Sequence, residues 1–459
     1  MPTAVQIRMS RLIRILVLPQ TQAKSLALFR SGLILARIGK TNSNNWDTMP
    51  IHNKERKSMR TCVRRVLATL LLFGSAACLI AAAVPSQTVP APSPSAPPAP
   101  SGNSGTAALR LSQVQFADAE HGWTSGALGD SPSALVWRTT NGGRAWHAAA
   151  LGNGVQDAAF GMADRQHGWA VGPSDCQFVS GTSVCGKLAI LNTRDGGATW
   201  QSQWAKDDPK AGSDNEVEAV NAATAYVRAG PSVWKTTDGG SNWLEASIPS
   251  SEASPYQISF VDESVGFAAG RMGTECPEKG LVPSSPNADC KTAVWKTTDG
   301  GKSWKKLAHA PRHGGAWYPA DIQFVDKRNG YLLLVNPNTH GSLLYSTANG
   351  GIGWKLRNTK IPGARPYPVK LEFVTPRTGY VPLRVGAGPV DGGLLRTVNG
   401  GAAFTQVKDP RLVSVEDADF ITARRGFVIS LNPDNPTSTL LLGTTNGGGS
   451  WTDLTPRTT

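Results

Sequence analysis

Histidine is scarce in this chain, seven in 459 residues, and none of the seven stands in a Ser/His/Asp order or a metal-ligating cluster. No phosphate-cradling loop stands out, and glutamate is thin after residue 84, with none in a recognisable motif. These gaps leave no convergent set of groups for nucleophilic, metal-assisted or phosphoryl-transfer chemistry, and no cofactor or metal is expected. Acidic residues are scarce in one place only. Residues 1–83 carry 13 Lys/Arg against Asp47 and Glu55, so the formal charge of +13 sits almost entirely there, and the remainder is net +2. A duplex-binding surface needs clustered positive charge, so nucleic acid is not an expected partner. Cysteine is also sparse. Two of six, Cys62 and Cys78, precede residue 84, and the other four form close pairs, Cys176/Cys185 and Cys276/Cys290. Spacings of 9 and 14 with no adjacent His do not fit zinc, whereas an even count in short segments of an exported chain fits two local disulfides.

From Met59 the sequence runs Met-Arg-Thr-Cys-Val-Arg-Arg, then an apolar segment Val66 to Ala83 ending Ala81-x-Ala83. That is the plan of a signal peptide, or of an uncleaved anchor, over 59–83. It predicts export to a periplasmic, extracellular or membrane-anchored location, with an organelle lumen as the alternative. Residues 1–58 read as a mis-assigned start or a transit-like extension, and 84–106 as a Pro/Ser-rich linker.

What is abundant is a repeat. Val233-Trp-Lys-Thr-Thr-Asp-Gly-Gly-Ser-Asn-Trp243 recurs at Val294 to Trp304 and five more times in weaker form. The copies centre on Asn141, Asp195, Asp238, Asp299, Asn349, Asn399 and Asn446, 54, 43, 61, 50, 50 and 47 residues apart. Each is preceded by a short apolar strand ending in Phe and a second strand opening on Gly-aromatic, as in Ile322-Gln-Phe324 and Gly330-Tyr331. The period predicts an all-β, seven-bladed β-propeller with four antiparallel strands per blade over 107–459. The Asp or Asn is expected to cap the Gly-Gly turn, since four of the seven copies carry Asn and a catalytic carboxylate would not tolerate that exchange. Of 14 tryptophans, most fall in these boxes or in the strands, which reads as core.

Thr-x-[Asp/Asn]-Gly-Gly-x-x-Trp resembles the Asp-box, or bacterial neuraminidase repeat, of sialidases, sortilin and xyloglucanase-type hydrolases. The whole repeat is more similar to the photosystem II stability/assembly factor family of exported propellers. That resemblance implies a module binding a protein partner, such as a membrane-protein assembly intermediate, while the absence of convergent chemistry favours a non-enzymatic role and the chain is expected to be a monomer. The alternative it leaves open is a glycan-binding or glycoside-hydrolysing propeller. No Arg-Ile-Pro of a sialidase occurs, and no ligand residue transfers from the family.

In a propeller the Gly-Gly turns and the long insertions lie on opposite faces. The insertions 173–187 and 271–293 are expected to be loops, and the strings Pro255-Tyr256, Trp317-Tyr318-Pro319 and Pro366-Tyr367-Pro368 loops of the same face. Arg228, Arg271 and Arg384 end or follow second strands near the channel mouth. Exposed aromatics and arginine are the residue types enriched in binding hot spots. Arg228, Arg271, Arg384, Tyr256, Trp317, Tyr318 and Tyr367 are therefore the candidate partner-binding residues.

Overall fold

The computed structural model describes residues 108–457 apart from 130, 132, 153, 180–181, 208–214, 230–231, 247, 249–252, 274–275, 277–289, 360, 362–366, 369 and 385–391. All belong to the compact unit Gly102–Thr459. The expected extension 1–58, signal or anchor segment 59–83 and linker 84–106 lie outside the described residues. Every regular element described is a strand, and seven antiparallel sheets follow one another along the chain. Each is a blade of four strands in sequence order, from inner to outer. In blade 6 the inner strand is interrupted into Tyr367–Pro368 and Glu372–Phe373, both paired with Gly379–Arg384.

The inner strands explain how the blades hold together. Six of them read polar, apolar, polar, then Phe or Ala, as in Gln113-Val-Gln-Phe116, Glu216-Val-Glu-Ala219 and Asp417-Ala-Asp-Phe420. An inner strand has one unpaired edge facing the channel, and buried N–H groups on such an edge need partners. The polar side chains of the preceding blade supply them. Gln113 and Gln115 accept from the N–H groups of Phe160 and Met162 at 2.9 and 2.8 Å, and Asp321 and Gln323 from Leu371 and Phe373 at 2.5 and 2.6 Å. At the junction of the last and first blades, Asp417 and Asp419 accept from Val114 and Phe116 at 2.7 and 2.6 Å. Blade 7 is built wholly from Val415–Asp419, Gly426–Leu431, Thr439–Thr444 and Thr452–Asp453, so the ring closes without a shared strand.

Apolar packing follows the same register. The aromatic that opens each second strand stacks on the aromatic that ends the next inner strand. Ring centroids lie 3.3 to 3.5 Å apart for Tyr226–Phe260, Phe267–Phe324, Tyr331–Phe373, Tyr380–Phe420 and Phe427–Phe116. Where the inner strand ends in Met162 or Ala219, the preceding blade offers the larger Trp123 or Trp169 instead, so volume is conserved across the junction. The Gly before the aromatic has its own cause. A Cβ on Gly122, Gly266 or Gly426 would lie 2.2 to 2.3 Å from the Phe of its own inner strand. In blade 3, where that Phe is Ala219, its cross-strand partner is Ala225.

Several stretches expected to be loops are strands. Residues 173–187 extend the second and third strands of blade 2, Gly168–Val179 and Thr182–Thr193, into a long hairpin with Cys176 opposite Cys185. The β-branched and aromatic content of that stretch favours pairing over loop structure. Pro255-Tyr256, Tyr318-Pro319 and Tyr367-Pro368, expected in loops, lie instead in the first parts of inner strands, with Trp317 just ahead of its strand. Register shifts at Pro255/Gln257 and Pro319/Asp321 separate them from the rest. Proline is tolerated there because the strand is an edge and carries a bulge.

Candidate functional site

The seven Gly-Gly turns share one hydrogen-bond scheme. In blade 4, Thr297 Oγ1 donates to Asp299 Oδ1 at 2.8 Å and accepts the Gly301 N–H at 2.8 Å, while Asp299 Oδ1 accepts the Ser303 N–H at 2.9 Å. Blade 1 repeats this with Thr139, Asn141, Gly143 and Ala145. Because Asn Oδ1 accepts as well as Asp Oδ1, the two residues are interchangeable. Both glycines of every turn have φ between 67° and 92°. The same Asx Oδ1 acceptance recurs for Asp195, Asp238, Asn349, Asn399 and Asn446. His121 and His167 are likewise held by turn carboxylates, Asp118 and Asp164, in equivalent positions. None of the tryptophans among the described residues is exposed.

The opposite face holds the large concavity. A cavity of about 750 Å³ opens along the channel, lined by residues of all seven blades. Its walls are the early parts of the inner strands and the ends of second strands, which places it away from the Gly-Gly turns. Six carboxylates line it (Asp157, Glu216, Glu218, Asp321, Glu372, Asp417) against three cations (Arg228, Lys370, Arg384). Lys370 reaches Asp417 at 2.7 Å and Glu372 at 3.7 Å. Arg228 Nε pairs with Glu216 at 3.1 Å, and Arg384 pairs with Glu416. Burial pushes the Glu218 carboxyl well above the usual carboxylate range, and Glu216 and Asp321 push it further. Burial raises Glu372 and Asp419 too, with Asp417 adding to both and Lys370 opposing. Burial disfavours the charge on Lys370, but Asp417, Glu372 and Asp419 outweigh it and hold its pKa above the ordinary lysine value.

The candidate residues separate into two groups. Arg228 and Arg384 line the channel. Arg228 is 1 % exposed and fixed against Glu216, whereas half of the Arg384 side chain is accessible. Arg271 does not reach the channel mouth. It is fully buried between blades 4 and 5, with Nε donating to the Trp317 carbonyl at 3.1 Å and its guanidinium 5.7 Å from the Tyr318 ring. It thereby pins the half-buried Trp317 and Tyr318, and the three arginines do not converge. Tyr256 and Tyr367 lie on the inner strands Ala253–Phe260 and Tyr367–Pro368, with their side chains outside the described residues. Lys370 and the paired polar positions of the inner strands carry most of the channel's chemistry. The signal for them was present in strings such as Ile322-Gln-Phe324, in the alternation just before each Phe.

Disulfides join Cys176 to Cys185 and Cys276 to Cys290, which fits an oxidising compartment. Among the described residues no group of three or more His, Cys, Asp or Glu is placed to hold a metal ion.

No family model matches the chain, and no curated protein matches it. Solved structures do. YCF48 bound to D1 peptide is 18 % identical, covering 77 % of this chain and 95 % of its own, with a TM-score of 0.49. YCF48 from Cyanidioschyzon merolae is 17 % identical, covering 74 % and 94 %, with a TM-score of 0.46. A PL25 ulvan lyase is 10 % identical, covering 77 % and 97 %, with a TM-score of 0.49.

Proposed function

We propose that this chain is an exported, non-enzymatic β-propeller that binds a polypeptide partner, a membrane or envelope protein during assembly, at the channel mouth opposite the Gly-Gly turns. The observation that carries this reading is the mixed-charge cavity of about 750 Å³ to which every blade contributes. Its size suits a side chain or short segment of another chain, and its groups suit polar recognition. Arg384, half accessible at the mouth, and Trp317 are the contact residues we assign. Arg228 and Arg271 act from within by holding Glu216 and the Trp317 backbone. The repeat's resemblance to photosystem II assembly factors supports the same reading. The two disulfides support an oxidising location, and the apolar segment of 59–83 supports delivery there.

A tagged full chain incubated with membrane extract tests this. Arg384→Ala and Trp317→Ala should each reduce recovery of the bound protein about tenfold, the scale of a hot-spot loss. Lys302→Ala on a Gly-Gly turn should leave recovery unchanged. Equal recovery with all three would sink the site. Turnover of a sialoside or β-glucan panel by the purified chain would overturn the non-enzymatic reading in favour of a glycan-active propeller.

A further inference from the structure

The turns of the Gly-Gly face are built alike but charged unlike. In every blade, the third residue of the turn between the first and second strands accepts the N–H of the first box glycine through its carbonyl, at 2.7 to 2.9 Å. In blades 1 to 4 that residue is Glu120, Gln166, Ala223 or Ser264, so the backbone role asks nothing of the side chain. In blades 5, 6 and 7 it is Arg328, Arg377 and Arg424, all three exposed. Among the described residues no ion pair engages Arg377 or Arg424, and Arg328 acts on Asp326 of its own turn.

The caps change in the same blades. Asp164 and Asp262 each accept two turn N–H groups through one oxygen, at 2.7 to 2.9 Å. Thr375 and Thr422 do the same with a hydroxyl, at 2.9 to 3.2 Å. The boxes of blades 5, 6 and 7 carry Asn349, Asn399 and Asn446 where those of blades 2, 3 and 4 carry Asp195, Asp238 and Asp299. Either kind of acceptor makes the turn, so the sorting of neutral caps into consecutive blades is a matter of charge. The two kinds of turn in blades 5–7 together hold Lys327, Arg328, Arg377, Arg424 and Arg425 against Asp326 alone. Lys327 is taken up by Asp262 of blade 4, and Arg425 donates to the Ala119 carbonyl at 2.6 Å.

Apolar side chains accompany this charge. Ile352 and Val398, at the tips of the blade 5 and blade 6 boxes, are 67 % and 54 % exposed. Four other boxes place Thr where Val398 stands. The two blades meet closely here, because Arg357 of blade 5 donates to the Gly400 carbonyl of blade 6 at 2.8 Å. Aliphatic tips beside unpaired arginines suit the boundary between lipid headgroups and acyl chains, whereas an acidic protein would need the arginines alone.

We propose that the Gly-Gly face of blades 5–7 rests on an anionic membrane surface, with Arg328, Arg377 and Arg424 on lipid phosphates and Ile352 and Val398 dipping among the acyl chains. This site is independent of the polypeptide-binding reading, which concerns the opposite face. Lys302, on blade 4, lies outside it.

The full chain, vesicles of phosphatidylcholine with phosphatidylglycerol, and a phospholipid carrying a diazirine in its acyl chain test the proposal. Residues 1–83, with 13 Lys/Arg against two acids, would draw the chain to such vesicles whatever the propeller does, so the readout is where lipid attaches. After irradiation, mass spectrometry should find lipid adducts at Ile352 and Val398 and none at the boxes of blades 2–4. Arg377→Glu with Arg424→Glu should cut those adducts at least about tenfold and leave adducts within 1–83 unchanged. Vesicles of phosphatidylcholine alone should give none on the propeller. Independently of any variant, the anionic vesicles should shield Arg377 and Arg424 of the wild-type chain from phenylglyoxal while the exposed Arg194 of blade 2 stays reactive. Adducts spread evenly over the seven boxes, adducts indifferent to the double variant, or unshielded Arg377 and Arg424 would overturn the proposal. Shielding by soluble poly-glutamate but not by vesicles would assign the sector to an acidic polypeptide and overturn the lipid surface.

Discussion

Thr297 shows how one hydroxyl can organise a turn. It is 1 % exposed and serves both the Asp299 carboxylate and the Gly301 N–H. Thr297→Val keeps the shape but leaves that N–H unpaired, and should cost about 1–3 kcal/mol in urea unfolding. Asp195→Asn should leave the unfolding midpoint near wild type at neutral pH, because Asn141 accepts through Oδ1 in the same way and, as Asn446 does with Ser450, an Asn amide can donate to the hydroxyl that Asp195 Oδ2 accepts from Thr199. A collapse on Asp195→Asn would show that the carboxylate charge, not the acceptor geometry, holds the turn.

At the scale of the blade, aromatic and glycine positions vary together. Trp169, Ala219 and Ala225 replace the usual small aromatic, Phe and Gly at the blade 2–3 junction. Ala219→Phe alone should destabilise by about 1–3 kcal/mol through overpacking. Combined with Trp169→Phe and Ala225→Gly it should recover most of that loss, a coupling measurable by a mutant cycle. Strictly additive costs would contradict the volume argument. Blade number, strand order and box geometry were legible in the sequence because period, Gly-Gly pairs and terminal aromatics are local signals. The inner-strand polar pairs were not, since their partners lie in the next blade, as with Gln113 and Phe160, 47 residues on. Arg271 misled for a related reason. A strand-ending arginine looks the same in sequence whether it faces solvent or two backbone carbonyls from the neighbouring blade.

For the whole molecule, the channel and the turns set opposite pH slopes. Glu372 and Asp419 are pushed up to about 8 and about 7, above their unfolded values, so the folded state binds more protons between roughly pH 4 and 8 and stability falls as pH rises through that window. Asp262 is held down at about 2, chiefly by Lys327, so its contribution is present above pH 4 and lost as pH falls toward 2. The thermal midpoint of the full chain should therefore peak near pH 4 to 6, and Glu372→Gln should flatten its decline toward pH 9. The ring's closure adds a separate test. Phe427→Ala removes the stack on Phe116 at the only junction joining the two ends of the propeller, and should cost about 3–5 kcal/mol.

The central claim is that partners meet the channel mouth and not the Gly-Gly face. A photo-cross-linking amino acid placed at Arg384 and, separately, at Lys302 of the full chain tests it in cells that produce the protein. The account predicts a discrete protein adduct from position 384 and none from position 302. Adducts from 302 alone, or none from 384, would contradict it.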